Sequence, residues 1–172
     1  GMLQLGGSAL FLSSKDIQLG RGETIQDTAR VLSRYLDIIM ARTFEHSKVE
    51  DLAKYGDIPV INGLTDLLHP CQALTDYYTA YEKGKKLEGM KFTYVGDGNN
   101  MAHSLLLTGA ILGCHVCVAS PTSMTVNSDI VKKAQQLAAR SGGSVLVTTE
   151  AKEACKDADV VYTDVWASMG QE

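Results

Sequence analysis

The chain has 172 residues, 45% hydrophobic and 21% charged, the profile of a soluble globular protein of one ordinary domain or two small ones. A net charge of -4 and a pI near 5.5 offer no basic face for a phosphate backbone, so nucleic acid is not an expected partner. No apolar run approaches the roughly 18 residues of a membrane helix, and the first residues lack the basic start and apolar core of a signal peptide, so an intracellular protein with no membrane partner is expected.

Residues 9–12 (Ala-Leu-Phe-Leu) read as a short strand that enters without a comfortable domain start before it. Residues 23–35 place Ile25, Ala29, Leu32 and Leu36 at helical spacing, with Thr24 and Asp27 as cap candidates. The apolar run 37–41 predicts a buried strand ending at Arg42. A helix over 47–55, a strand over 58–62 and a turn at Gly63 follow, then a helix opening at Pro70, since proline suits the first helical position. That helix runs to Tyr81, and the charged stretch 82–86 marks a boundary between domains 1–85 and 86–172.

Beyond it the alternation is clearer: strands over 91–95, 115–119, 144–148 and 160–164, and helices over 100–112, 129–139 and 152–156. Strands alternating with helices predict an α/β fold of parallel sheets with helices on both faces, here as two doubly wound lobes, both incomplete. Ligands in such sheets gather at the carboxyl ends of strands, where Arg42, the segment leading to His69, residues 96–100 and residues 164–170 all fall. The four cysteines (Cys71, Cys114, Cys117, Cys155) are too scattered for a disulfide scaffold and suit a reducing compartment. Cys114-His115-Val116-Cys117 has C-x-x-C spacing, but it lies in an apolar run without a second ligand pair and reads as a buried strand rather than a zinc site.

His69 precedes a helix N-terminus, where unpaired N–H groups and the helix dipole favour an anion or a polarised carbonyl oxygen. Gln72 is one turn in, and an imidazole with a neighbouring amide suits a planar group presenting one C=O and one NH2. A capping histidine and a surface glutamine is the plainer alternative. Arg42 needs an acceptor if it points inward, which a phosphate, a carbonyl or a local carboxylate would supply. Residues 96–101 (Gly-Asp-Gly-Asn-Asn-Met) form a strand-to-helix glycine turn that invites a dinucleotide reading, yet the third glycine is replaced by Met101. The next strand ends at Ser120 without the acidic residue that holds a ribose. Asp164 stands at a strand end before Ala167-Ser168-Met169-Gly170, where a carboxylate could hold an ammonium group under a mobile lid.

Taken in this order, the elements resemble the aspartate and ornithine carbamoyltransferase family. His69-Pro70-Cys71-Gln72 is similar to its His-Pro-x-Gln element. Gly96-Asp97-Gly98-Asn99-Asn100 with His103-Ser104, and Asp164-x-x-x-Ser168-Met169-Gly170, resemble the ornithine branch. The resemblance spans essentially the whole chain, including residues 27–34 and 59–64. It implies carbamoyl transfer from carbamoyl phosphate to the δ-amine of L-ornithine, giving citrulline and phosphate, with no cofactor and no metal. Arg42 and His69 are then the catalytic pair, Arg42, His69, Gln72 and Gln18 bind carbamoyl phosphate, and Asn100, Asp164, Ser168 and Met169 bind ornithine. Gln18 matches a loop that reaches the phosphate of a neighbouring subunit, which implies a homotrimer at full length. The cytoplasm, or the mitochondrial matrix in a eukaryote, and arginine biosynthesis are the implied setting.

Two family elements are absent: Ser-x-Arg-Thr-Arg, expected before residue 1, and His-Cys-Leu-Pro, expected after residue 172. The chain is therefore expected to be a central part of such an enzyme, inactive alone. Competing readings are a carbamoyltransferase for putrescine or an acylated ornithine, a non-catalytic module of the same fold, and a dehydrogenase.

Overall fold

A computed structural model describes residues 1–13 and 22–165. The chain divides into two compact units, one formed by residues 1–39 and 47–60 and the other by residues 40–46 and 61 onward.

In the first unit, helix α1 (Ile25–Leu32) starts where Thr24 accepts the Asp27 N–H at 3.1 Å, satisfying a donor that has no partner inside the helix. Helix α2 (His46–Tyr55) packs Val49 and Leu52 inward, and Ala29 of α1 is fully buried. The Ser33 hydroxyl locks the two helix ends, donating to the Ala29 carbonyl at 2.7 Å and accepting the Asp57 N–H at 2.9 Å. Residues 9–12 depart from expectation. No described strand pairs with them, Leu10 and Phe11 are 78% and 92% exposed, and they form no regular element. An apolar run makes a strand only when a neighbouring edge supplies its ladder.

Strands β1 (Ile39–Arg42) and β2 (Val60–Leu64) form a two-stranded sheet. β2 lies two residues later than its apolar run suggests, and Gly63 falls inside it rather than in a turn. A Cβ at Gly63 would stand 3.2 Å from the Ala41 carbonyl oxygen and closer still to the Met40 sulfur, so the glycine permits the close approach of β1.

The remaining elements are α3 (Pro70–Glu82), β3 (Lys91–Val95), α4 (Asn100–Ile111), β4 (His115–Ala119), α5 (Ser128–Ser141), β5 (Ser144–Thr148), the single turn α6 (Ala151–Ala154) and β6 (Val160–Tyr162). Strands β5-β4-β3-β6 make a four-stranded, wholly parallel sheet. Residues 114–117 sit in and beside β4, with Cys114 buried, and burial pushes its thiol up to about 11.

One face of this sheet carries Phe92, Tyr94, Val116 and Val118 into a core with Leu105, Leu106 and Ala102 of α4 and Ala134 and Ala138 of α5. α3 joins through Tyr77, whose ring lies 4.7 Å from Phe92 and whose hydroxyl donates to the Leu105 carbonyl at 2.9 Å. Among the described residues the other face meets the single turn α6, where Thr93 donates to the Ala154 carbonyl at 2.7 Å. Leu146 and Val161 stay 58% and 57% exposed, although strands of a parallel sheet are normally covered on both faces. Chain order reverses at β3: the path moves outward through β4 and β5, then returns to β6 on β3's other side. Residues 96–100 and Asp164 follow the carboxyl ends of those two strands, at the switch point where such sheets open a crevice.

Candidate functional site

The loop 65–69 that delivers α3 is held at several points within the second unit. Asp66 donates its N–H to the Phe44 carbonyl at 2.7 Å and accepts the His46 N–H at 3.0 Å. From the first turns of α4, Asn100 Nδ2 donates to the Thr65 carbonyl at 2.7 Å, and the Ser104 hydroxyl accepts the His69 N–H at 2.7 Å. His103 Nδ1 stands 2.9 Å from the Leu67 carbonyl oxygen, which only accepts, so Nδ1 carries the proton. Nε2 is then free to accept the Asn127 N–H at 3.3 Å. His103 is thus a neutral strut, and burial lowers its pKa.

Anchored in this way, His69 begins α3 without capping it: its ring makes no cap bond, and Nδ1 is buried with no hydrogen-bond partner among the described residues. Burial lowers the His69 pKa, the Arg42 charge lowers it further, and the Asp164 charge and a backbone bond at Gly63 oppose them. Arg42, His69 and Asp164 therefore share one electrostatic neighbourhood. One turn along α3, Gln72 Nε2 donates to Asp76 Oδ1 at 3.1 Å and lies 3.4 Å from the Tyr162 hydroxyl. Burial raises the Asp76 pKa and the bonds from Gln72 and Tyr162 pull it back, while burial pushes the Tyr162 phenol up to about 12. Asn62 Oδ1 on β2 and Asp76 Oδ2 are likewise buried with no hydrogen-bond partner among the described residues.

Arg42, His69, Gln72, Asn100 and Asp164 all belong to the second unit. Asn100 already spends one amide hydrogen on Thr65. Gln18, Ser168 and Met169 lie outside the described residues. Asp76 and Tyr162 escaped the sequence reading. Asp76 is the i+4 neighbour of Gln72, a spacing that brings two helical side chains together. Tyr162 is 90 positions away, and no local pattern reveals that contact. Chemically, a buried imidazole nitrogen without a partner, beside a guanidinium and an oriented amide, suits a small planar group with a polarised oxygen.

The glycine turn has another use. Gly98 donates its N–H to the Met124 carbonyl at 2.8 Å, and a Cβ there would collide with the backbone at Val126 N and Thr125 C. Its lack of a side chain serves the packing of residues 124–126 rather than the approach of a pyrophosphate.

Residues 1–82 match the family model "Aspartate/ornithine carbamoyltransferase, carbamoyl-P binding domain", and residues 88–172 match "Aspartate/ornithine carbamoyltransferase, Asp/Orn binding domain". The chain belongs to the aspartate/ornithine carbamoyltransferase family. Curated relatives named ornithine carbamoyltransferase include one from Anoxybacillus flavithermus, 63% identical over the whole chain and 55% of the relative's length. Another, from Bacillus subtilis, is 60% identical over the whole chain and 54% of its own length. The solved ornithine carbamoyltransferase from Pyrococcus furiosus is 59% identical, with a TM-score of 0.94 over 99% of this chain and 55% of that one. The chain thus spans about half the length of the relatives it matches.

Proposed function

We propose that this chain carries the central part of an ornithine carbamoyltransferase, which moves the carbamoyl group of carbamoyl phosphate to the δ-amine of L-ornithine. The observation that carries the reading is the buried, unpartnered Nδ1 of His69 in the field of Arg42 and Asp164. In this scheme residues 1–85 form the carbamoyl-phosphate side and residues 86–172 the ornithine side.

Arg42 and His69 direct their donors at the carbonyl oxygen, Gln72 meets the carbamoyl amine, and Gln18 serves the phosphate across a subunit boundary. Asn100, Asp164, Ser168 and Met169 receive ornithine, with Asp164 on its α-ammonium. The uncharged δ-amine attacks the carbonyl carbon without a covalent enzyme intermediate. Negative charge grows on the oxygen, Arg42 and His69 stabilise it, the C–O bond to phosphate breaks, and the departing phosphate takes the proton that the δ-nitrogen loses as citrulline forms. Neither metal nor cofactor enters this chemistry. The family's phosphate loop, Ser-x-Arg-Thr-Arg, is not among these residues, nor is its His-Cys-Leu-Pro element, so in this proposal turnover belongs to a polypeptide that carries both, as a homotrimer of the cytoplasm. A biosynthetic direction toward arginine is supported by the Pyrococcus furiosus relative, 59% identical and named anabolic.

Calorimetric titration of that longer polypeptide with carbamoyl phosphate, and then with ornithine, tests the reading. Heat for both is expected, and Arg42→Ala or His69→Ala should weaken carbamoyl phosphate binding by about tenfold or more, the loss of one or more charge-assisted bonds.

A further inference from the structure

Gln72 could meet a carbamoyl group in either of two ways, because its amide carries an acceptor and a donor of nearly the same shape. The structure settles which atom faces Asp76. A carboxylate only accepts, so the amide atom 3.1 Å from Asp76 Oδ1 is the NH2, and the same nitrogen lies 3.4 Å from the Tyr162 hydroxyl. With its nitrogen engaged there, the amide has its carbonyl oxygen left for a ligand. That oxygen accepts from an –NH2 and has nothing to offer a methyl group.

We infer that Asp76, assisted by Tyr162, is a positioning residue that fixes the orientation of the Gln72 amide and thereby sets the preference of the site for carbamoyl phosphate over acyl phosphates. The inference rests on the function proposed above. Three observations independent of it point to Asp76. It lies one turn from Gln72 on the same helix, so the pair stays aligned while α3 is intact. Its second oxygen, Oδ2, is buried with no hydrogen-bond partner among the described residues, a state that surface decoration does not produce. Tyr162 reaches the pair from β6, the strand leading to Asp164, and so ties the amide's orientation to that strand.

Carbamoyl phosphate and acetyl phosphate share the phosphate and the carbonyl and differ in NH2 against CH3, so the ratio of their affinities isolates the contact Gln72 makes. In the longer polypeptide, calorimetry should show a preference for carbamoyl phosphate. Asp76→Asn and Asp76→Ala should lower the ratio about tenfold, the worth of one hydrogen bond, and leave acetyl phosphate affinity unchanged. Tyr162→Phe should lower it about threefold. In a Gln72→Ala background, Asp76→Asn should change the ratio no further. Equal weakening of both ligands, an unchanged ratio, or an Asp76→Asn effect that persists without Gln72 would each overturn the inference. Should Asp76→Ala fail to melt cooperatively, Tyr162→Phe with and without Gln72→Ala decides the matter. A wild-type protein that binds no carbamoyl phosphate would overturn the proposed function, and this inference with it, whereas altered ratios alone touch only the positioning of Gln72.

Discussion

At the scale of single residues, the buried His103 and the half-buried His69 are expected to make the fold sensitive to acid. Burial lowers the pKa of both His69 and His103 from 6.5, so the unfolded chain takes up their protons first. Their stabilisation is then fully present above pH 6.5 and is lost as pH falls through that value toward the folded pKa values. Denaturant melts between pH 7.5 and 5 should show the decline, and His103→Gln, which keeps a donor and an acceptor, should flatten it. Removing the strut altogether is costlier: His103→Ala strands the Leu67 carbonyl and the Asn127 N–H, at about 1–3 kcal/mol for a buried group left unpaired. Sequence made His69 and Gln72 legible because proline and a helix start mark their place. It left Tyr162 unseen because its contact with Gln72 arises only where α3 and β6 meet, and Asp76 had only its i+4 spacing from Gln72 to mark it.

Among the elements, the four-stranded sheet and α4 were readable almost to the residue, since long apolar runs separated by turns leave little choice of register. Residues 91–95, 115–119 and 144–148 form strands over their expected bounds. The earlier elements shifted because short strands take their ends from partners: β2 slid to pair with β1, and residues 9–12 found no edge. The uneven covering of the sheet was likewise invisible in the pattern. It makes a prediction: Leu105→Ala, in the covered core, should cost about 2–5 kcal/mol in chemical denaturation. Leu146→Ser, on the open face, should stay within about 0.5 kcal/mol. Gly98→Ala should behave like the core change, because the new methyl meets backbone of residues 124–126 with no flexible side chain to yield.

For the whole molecule, family membership and the α/β plan stand on the match of both family models and on a TM-score of 0.94, while the need for further residues in turnover is part of the proposal. The open sheet face carries a groove of about 380 Å3 lined by Thr93, Cys117 and Leu146 among others. The most direct measurement is steady-state citrulline formation from carbamoyl phosphate, with ornithine and putrescine compared as acceptors, by this 172-residue chain and by the longer polypeptide containing it. The account predicts turnover only by the longer polypeptide, with ornithine far preferred and activity lost in His69→Ala. Appreciable turnover by the chain alone, a preference for putrescine, or full activity in His69→Ala would contradict it.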